Sequence, residues 1–422
     1  MPVPPGVPAV SDAVVAVRVR FNPFSAEFRR DPYPQYRRLR ETQPVHRTLG
    51  MWVLTRHADV RAVLRDRTFS ADLIPRQVSK QAGRVSGENV ARIERLGRKS
   101  LVFTDNPDHA RLRGLVNRVF TGPAVAALRP LVHEIAGRLV EKACAGTEID
   151  VISDLAAPLP VTVLCEWMAL PAGLRDNVAG WTHDIRFLLE PGLMRGDDFT
   201  HVCEVVENFV QALEEVVDER RSRPGGDLIS RLLTARTAGG DRLSDEELVF
   251  VCIMCFVAGN ETTKSLIGNA LLALLRNPDQ LALLRTNPEL VGSTVDEALR
   301  YDSPLQLTKR LTTREVEIGG TRIPEGEQVL LCLGGANRDF DVFDRPDEFD
   351  ITRTAHGHLA FGYGMHGCLG GMLAELQART VLACLLRRTE TIESRTDEFE
   401  WQDHSFIVRG LRSLPVTVRS AG

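Results

Sequence analysis

Lysine is scarce among the charged residues of this sequence. Only five of the 52 basic residues are lysines, and the other 47 are arginines. The 56 acidic residues nearly balance them, which leaves a formal net charge of −4. A charge this small gives no bulk attraction for nucleic acid. We therefore expect no nucleic-acid partner.

Cysteine occurs without the spacing of a disulfide framework. The eight cysteines are scattered, mostly within apolar helical patterns, which excludes a disulfide-stapled secreted domain and predicts a reducing, cytoplasmic compartment. Cys252 and Cys255 form a C-x-x-C, but they lie in the apolar run from Leu248 to Val257 without a surrounding βαβ pattern. We interpret them as two small core residues rather than as a redox or zinc pair.

Long hydrophobic runs are also missing. The start of the chain is rich in proline and lacks the basic-then-apolar pattern of a signal peptide. The apolar stretch from Ala13 to Val19 falls short of the roughly 20 residues that cross a membrane. We expect a soluble protein with no membrane association. Residues 1–20 are predicted to form a flexible tail and residues 21–422 one domain, because no linker or composition shift divides them.

Local patterns predict a mainly helical protein with a minor β region. Helical periodicity dominates from about Ala110 to Arg276. Shorter elements are expected elsewhere: a helix opening at Asp31-Pro32, a strand at Met51 to Leu54, a helix from Ala58 to Leu64, a short helix from Glu88 to Leu96 inside a long surface connection, and strands at Glu315 to Gly320 and Gln328 to Leu331.

The clearest predicted element is a long central helix. It begins at a capping box, Ser244-Asp245-Glu246-Glu247, and ends before Asn277-Pro278. An apolar helix of this length is expected to be buried, so the polar stretch Asn260-Glu261-Thr262-Thr263 at its midpoint needs an explanation. It is either a functional acid–hydroxyl site beside a ligand or a satisfied core network with a kink.

A glycine-rich loop carries the most informative cysteine. Cys368 lies in the stretch from Phe361 to Gly370, which holds four glycines and a histidine and directly precedes a helical pattern. Glycines allow a tight backbone and close approach to a planar ligand. A helix N-terminus stabilises a thiolate, which is the form that binds metals. The alternative is a glycine-rich turn with a structural cysteine.

Further motifs occur in a fixed order around this loop. They are His109-Ala110-Arg111-Leu112-Arg113, Asp227-Leu228-Ile229, Glu297-Ala298-Leu299-Arg300 with Pro304 and Arg310 after it, Ala336-Asn337-Arg338-Asp339, and Arg409 to Val416. Together with the acid–threonine helix and the cysteine loop, this order resembles the cytochrome P450 family from about residue 20 to residue 418. The chain departs from many relatives at Gly371-Met372 and at Asn260, and neither departure removes a catalytic part.

The resemblance implies a P450-like single large domain, with the long helix over a haem and the cysteine loop beneath it. It implies heme b as the cofactor, with Cys368 as the iron ligand and Glu261 and Thr262 as the proton relay. It implies a structural ion pair between Glu297 and Arg300. The residues that it places against the cofactor are His109, Arg113, Arg310 and His366 at the propionates, and Ala258, Phe361, Gly362 and Gly370.

The implied function is a monooxygenase that puts one oxygen atom into a C–H or C=C bond of a mid-sized, mostly apolar molecule, as a tailoring step in secondary metabolism. Electrons would come from NAD(P)H through a ferredoxin reductase and an iron–sulfur ferredoxin that docks near Arg111 and Arg113, and the protein is expected to be a monomer. Two alternatives stay open: a haem-thiolate oxidase for ring closure or oxidative coupling, and a non-catalytic haem-binding partner.

The substrate pocket is the least readable part. By resemblance its wall includes Met254, Val257, Ala258, Leu305, Gln306 and Ile407, although plain core packing is nearly as good an interpretation at each position. Arg186 and Glu190 could meet a polar substrate group, but we expect both at the protein surface.

Overall fold

The N-terminal third begins with short helices and the edge of a sheet. The computed structural model describes residues 21–72, 99–185, 190 and 196–421, so the predicted tail and the predicted helix from Glu88 to Leu96 lie outside the described residues. The first elements are α1 (Ala26–Arg30), α2 (Tyr33–Thr42), β1 (Val45–Thr48), β2 (Met51–Leu54), α3 (His57–Arg65) and β3 (Phe69–Ser70). The elements predicted near Pro32, Met51 and Ala58 are therefore confirmed.

The middle of the chain is a run of helices, as predicted. They are α4 (Asp108–Val116), α5 (Gly122–Ala127), α6 (Arg129–Ala143), α7 (Pro158–Trp167), α8 (Ala172–Ile185), α9 (Gly196–Ser222) and α10 (Leu228–Thr234). Side-chain caps fix some of their starts: Thr121 accepts from the Ala124 amide at α5, and Asp227 accepts from the Ser230 amide at α10. A short strand missed by the periodicity, β4 (Glu148–Asp150), interrupts the run before a π-helical turn at Ile152–Ala156.

The central helix, α11, runs from Asp245 to Arg276. Its capping box is formed: the Glu247 amide donates to Ser244, and the Glu247 carboxylate accepts from the Ser244 amide. Among the described residues, α11 alone has the length and apolar composition of a membrane span, and 72% of its most apolar window is buried inside the protein. Burial within the fold accounts for its apolar character.

The last third of the chain alternates between helices and strands. Its elements are α12 (Pro278–Thr286), α13 (Val291–Tyr301), β5 (Leu307–Thr312), β6 (Val316–Ile318), β7 (Thr321–Ile323), β8 (Gln328–Cys332), α14 (Leu333–Ala336), α15 (Gly371–Arg388), β9 (Thr389–Ser394) and β10 (Pro415–Ser420). The strands predicted at residues 315–320 and 328–331 are confirmed as β6 and β8.

Three sheets are formed within the described residues. The five-stranded sheet has the order β1-β2-β8-β5-β3, in which β2 and β8 are parallel and the other pairs antiparallel. The smaller sheets are β4-β10-β9 and the hairpin β6-β7. The five-stranded sheet joins strands from both ends of the chain, which brings Arg310 of β5 opposite Val329 of β8.

The largest hydrophobic core surrounds α11. Helices α7, α9, α13 and α15 all pack against it, and its inward residues, such as Phe250 and Phe256, are fully buried. A second cluster, with Tyr36 and Leu39 at its centre, lies between the first helices and the sheet. The cysteine loop directly precedes α15, so the packing of α15 on α11 helps to hold the end of the loop in place.

Candidate functional site

The cysteine loop is shaped by glycines in conformations that other residues rarely adopt. Gly362 and Gly364 have φ angles of 68° and 73°. A Cβ atom on Gly364 would lie 2.7 Å from the backbone oxygen of Leu64 in α3. The Cys368 amide donates to the Phe361 oxygen at 2.8 Å. The loop is therefore closed on itself and pressed against α3.

Cys368 is the only one of the eight cysteines that is exposed. The protein nevertheless surrounds its thiol, so burial raises the pKa of Cys368, while the amides of Gly370 and Gly371 and the Arg113 guanidinium pull the pKa down. Those two amides belong to the start of α15, where the helix dipole favours a negative charge. A bound metal ion would complete the deprotonation. The Cys368 residue is thus exposed, and neighbouring amides and a guanidinium stabilise its thiolate form.

Two arginines, Arg113 and Arg310, and two histidines, His109 and His366, lie together beside the loop and are here called the cationic cluster, whose charge comes from the arginines. The rings of His109 and His366 are 4.3 Å apart between centroids. Burial, with help from Arg310, His109 and Arg113, lowers the pKa of His366 to about 3. Arg113 also donates to the Gly367 oxygen at 2.8 Å. The structure thus brings together all four residues that the resemblance assigned to the propionates.

No carboxylate of the described residues lies within ion-pair distance of this cationic cluster, and Asp105 acts on His109, Arg310 and His366 only from farther away. Burial lowers the pKa of Arg310 to about 10, and its bonds go to the Lys309 oxygen and the Thr308 hydroxyl. His109 Nε2 and both ring nitrogens of His366 are buried without a hydrogen-bond partner. Buried charges and polar atoms are normally paired. A ligand with two carboxylates, such as haem, supplies the anions that this cluster lacks.

The midpoint of α11 has free surface in an otherwise buried helix. Ala258 is exposed and Gly259 half-buried, between the buried Val257 and Asn260. The Thr262 hydroxyl donates to the Ala258 oxygen at 2.8 Å, the local bond expected of a helical threonine. Surface of this kind at the helix centre requires open space beside it, which fits a flat macrocycle.

Glu261 is engaged by two cations rather than by Thr262. Its Oε2 lies 2.6 Å from Lys264 Nζ and 3.8 Å from His404 Nε2. Burial alone would raise the pKa of Glu261, but His404 and Lys264 outweigh burial and hold it at about 2. The carboxylate is therefore ionised, and the two members of the predicted relay are not hydrogen-bonded to each other.

The Glu297–Arg300 pair is fully buried. Both side chains are 0% exposed, and the guanidinium forms two bonds to the carboxylate at 2.7 and 2.8 Å. Arg300 also donates to the backbone oxygens of Asn337 and Glu348, and the Asn337 side chain accepts from the Leu359 amide. The pair therefore anchors the segment that leads into the cysteine loop.

Only some of the residues predicted to form the pocket wall have side chains that are accessible at a surface. Met254 and Val257 are buried core residues, whereas Leu305 and Ile407 are half-buried neighbours. Gln306 is 2% exposed, and its amide donates to the Ser303 oxygen and the Tyr33 hydroxyl. Because the amide nitrogen is already hydrogen-bonded inside the core, Gln306 does not lie at a surface where a ligand could contact it.

The surface position expected for Glu190 is wrong, whereas Arg186 lies outside the described residues. Glu190 is 8% exposed and accepts hydrogen bonds from the Ser405 hydroxyl and the Phe406 amide. Burial raises the pKa of Glu190 even though these bonds and Lys309 act in the opposite direction. Glu190 is thereby bound to the turn formed by residues 401–410, here called the C-terminal turn.

The raised pKa of Glu190 predicts how the stability of the protein depends on pH. Because the pKa of Glu190 is higher in the folded than in the unfolded state, its stabilising contribution is complete below the unfolded value of about 4.3 and is lost as pH rises through the folded value. Glu190→Gln should therefore be more stable than the native protein at pH 8, and the difference should vanish near pH 4. Denaturant midpoints across this range test it; Glu134→Gln, an exposed acid, should show no such trend.

A haem-thiolate protein is the class that this fold and site define. The sequence matches the cytochrome P450 family model over residues 190–413. It is 38% identical over 408 residues to cytochrome P450 107B1 of Saccharopolyspora erythraea, covering 93% of this chain and 96% of that one.

Two more relatives agree over nearly the whole length. The vitamin D(3) 25-hydroxylase of Pseudonocardia autotrophica is 37% identical over 402 residues, which is 94% of this chain and 96% of that protein. The structure of P450BioI in complex with a hexadec-9Z-enoic acid-ligated acyl carrier protein superimposes with a TM-score of 0.85 at 33% identity, covering 93% of this chain and 99% of that one. The chain belongs to the cytochrome P450 family and is an oxidoreductase of the monooxygenase type that uses haem iron.

Several site residues escaped the sequence reasoning. Lys264 and His404, the partners of Glu261, belong to no motif, and His404 comes from the far end of the chain. The i, i+3 spacing of Glu261 and Lys264 could have indicated their pairing. Nothing in the sequence could have placed His404 there, because the contact depends on how the C-terminal turn folds back over α11.

Proposed function

We propose that this protein is a heme b monooxygenase in which Cys368 is the iron ligand. One oxygen atom would enter a C–H or C=C bond of a mid-sized, mostly apolar molecule. The observation that carries the proposal is the one exposed cysteine lying beside a buried cationic cluster that forms no ion pair with a carboxylate of the described residues. His109, Arg113, Arg310 and His366 would hold the propionates, and Phe361, Gly362 and Gly370 would shape the loop under the ring.

A bound haem would supply the oxygen-activating chemistry, which a thiolate ligand such as that of Cys368 favours. The residues of this chain hold the group, exclude water and deliver protons. The Thr262 hydroxyl can both donate and accept a hydrogen bond, and its present bond to Ala258 keeps it at the free surface of α11. Glu261, ionised by its two cationic partners, is the adjacent acid–base group.

We expect an iron–sulfur ferredoxin and an NAD(P)H-dependent reductase as electron partners in the cytoplasm. The arginines on α4 would face the ferredoxin. Arg111 is only partly available for this role, because it is bonded to Asp241 and Glu247. Arg113 is turned toward the cysteine loop. The docking surface is therefore proposed near α4 without a role for Arg113 in direct contact.

The substrate class can be tested with a binding panel. Leu305 and Ile407 give a half-buried apolar surface, which suits a mostly apolar ligand. The panel should contain vitamin D3, testosterone, free hexadec-9Z-enoic acid and the same acid on an acyl carrier protein. Related P450 proteins are named for the first of these or have structures in complex with the others. A shift of the haem spin state reports binding. Labelled dioxygen then tests insertion, since a product without label would contradict it.

Thr262→Ala should uncouple electron use from product formation. Without the hydroxyl, the proton supply is interrupted, so the product formed per NADH should fall roughly 10- to 100-fold while NADH is still consumed. The matched control is Thr286→Ala, an exposed threonine of α12 that makes the same bond to a carbonyl four residues earlier. Equal coupling in both variants would remove Thr262 from the relay.

A further inference from the structure

Glu261 needs a source of protons that the buried centre of α11 does not offer. Its carboxylate is only 10% exposed, and its closest partner is the Lys264 ammonium at 2.6 Å. An ammonium titrates near 10.4 and keeps its proton at neutral pH, so Lys264 holds the charge of Glu261 without exchanging protons. An imidazole, in contrast, changes its protonation near neutral pH. His404 is the partner of that kind.

His404 extends from the Glu261 carboxylate toward the surface. Its Nε2 lies 3.8 Å from Glu261 Oε2, and its side chain is 23% exposed. The His183 ring of α8 lies 6.1 Å away between centroids and is itself exposed. A movement of about 1 Å brings His404 and Glu261 into hydrogen-bond distance. One histidine thus contacts the interior acid and the solvent side at the same time.

Among the described residues, the charged groups around His404 come from three elements. They are Glu261 and Lys264 of α11, His183 of α8, and Asp403 and Arg412 around the C-terminal turn. Asp403, which bonds to Arg412 at 2.7 Å, is exposed, whereas the Glu261 carboxylate, which is shared with Lys264, is buried. A proton that His404 passes toward the interior therefore goes to Glu261.

We propose that His404 conducts protons from the solvent to Glu261, with His183 at the entry. The His404 imidazolium gives its Nε2 proton to Glu261 Oε2, and the neutral ring then regains a proton at Nε2 from a solvent hydronium ion, which leaves water. His404 thus returns to its starting form, and the solvent is the net proton source. The inference rests on the proposed function, since only an oxygen-reducing enzyme consumes these protons.

The contact can be tested without turnover, by histidine NMR on the reduced, CO-bound holoenzyme. Glu261→Gln should shift the ring signals of His404, because it removes the charge of a carboxylate 3.8 Å from His404 Nε2. The ring signals of His201, which pairs with Asp184 at the surface, should stay in place. The exposed control Glu134→Gln should leave the signals of both histidines unchanged. Unchanged His404 signals in Glu261→Gln would overturn the proposal.

The role can be tested by oxygen consumption with NADH, a plant-type ferredoxin and its reductase. His404→Gln keeps a hydrogen-bonding side chain that cannot titrate. It should slow consumption about 10-fold and flatten the pH profile of the rate, since an imidazole is the side chain that changes its charge between pH 5 and 8, whereas His201→Gln should keep both the rate and the pH profile. A native rate and profile in His404→Gln would overturn this inference alone. A wild-type protein that consumes no oxygen would overturn the proposed function as well.

Discussion

Glu297→Gln is expected to lower the free energy of unfolding by about 3–5 kcal/mol, because it leaves the buried Arg300 guanidinium without its counter-charge. The substitution keeps the shape of the side chain, so the loss reflects charge rather than a cavity. Arg300 would still hold the carbonyls of Asn337 and Glu348, but as an uncompensated charge in the core. Denaturant unfolding measures the effect.

A matched surface pair provides the control for this prediction. Arg345 and Glu348 also lie three residues apart and bond to each other, but both side chains are more than half exposed. Glu348→Gln should cost less than about 1 kcal/mol, since exposed ion pairs contribute little. A similar loss in both variants would contradict the view that Glu297 and Arg300 stabilise the protein through burial. The Glu297 variant should also lose haem more easily, because the pair supports the segment that leads to the cysteine loop.

Cys368→Ser should abolish the Soret shift of the reduced, CO-bound haem that marks a thiolate ligand, a complete loss rather than a partial one. Serine keeps the size of the side chain but its hydroxyl does not ionise near neutral pH. Haem retention is a separate question, because the cationic cluster can hold the propionates without the thiolate. The spectrum therefore reports ligation specifically.

Cys384→Ser is the control for this second prediction. Cys384 lies in α15, and its sulfur accepts from an Arg387 nitrogen at 3.4 Å, so a hydroxyl is tolerated there. This variant should keep the thiolate spectrum. A thiolate spectrum in Cys368→Ser would show that another residue ligates the iron.

Sequence reasoning was strongest where the pattern is local. The central helix could be placed from its capping box to its last turn, because capping and periodicity depend on residues close in the chain. The cationic cluster could be named only through the family resemblance. Its members come from α4, β5 and the cysteine loop, and no single stretch of sequence shows that they meet.

The sequence was weakest where one side chain has several possible partners. Gln306 was predicted for a pocket wall, but its amide nitrogen donates to Tyr33 and Ser303 inside the core, while its Oε1 has no hydrogen-bond partner. Glu190 looked like a surface acid, but the Ser405 hydroxyl and the Phe406 amide bind it. In both cases a contact between distant segments decided the outcome, and propensity carries no information about such contacts.

The contact between Gly364 and α3 bears on how such a protein can be engineered. Nothing larger than hydrogen fits between this glycine and the Leu64 oxygen, and the neighbouring Tyr363 ring is stacked under Arg61 at 4.6 Å. On its other side, the loop is bound to α4 through Arg113. The conformation of residues 361–370 therefore depends on α3 and α4. If these ten residues were transferred to another protein without the two helices, they would not form the same loop.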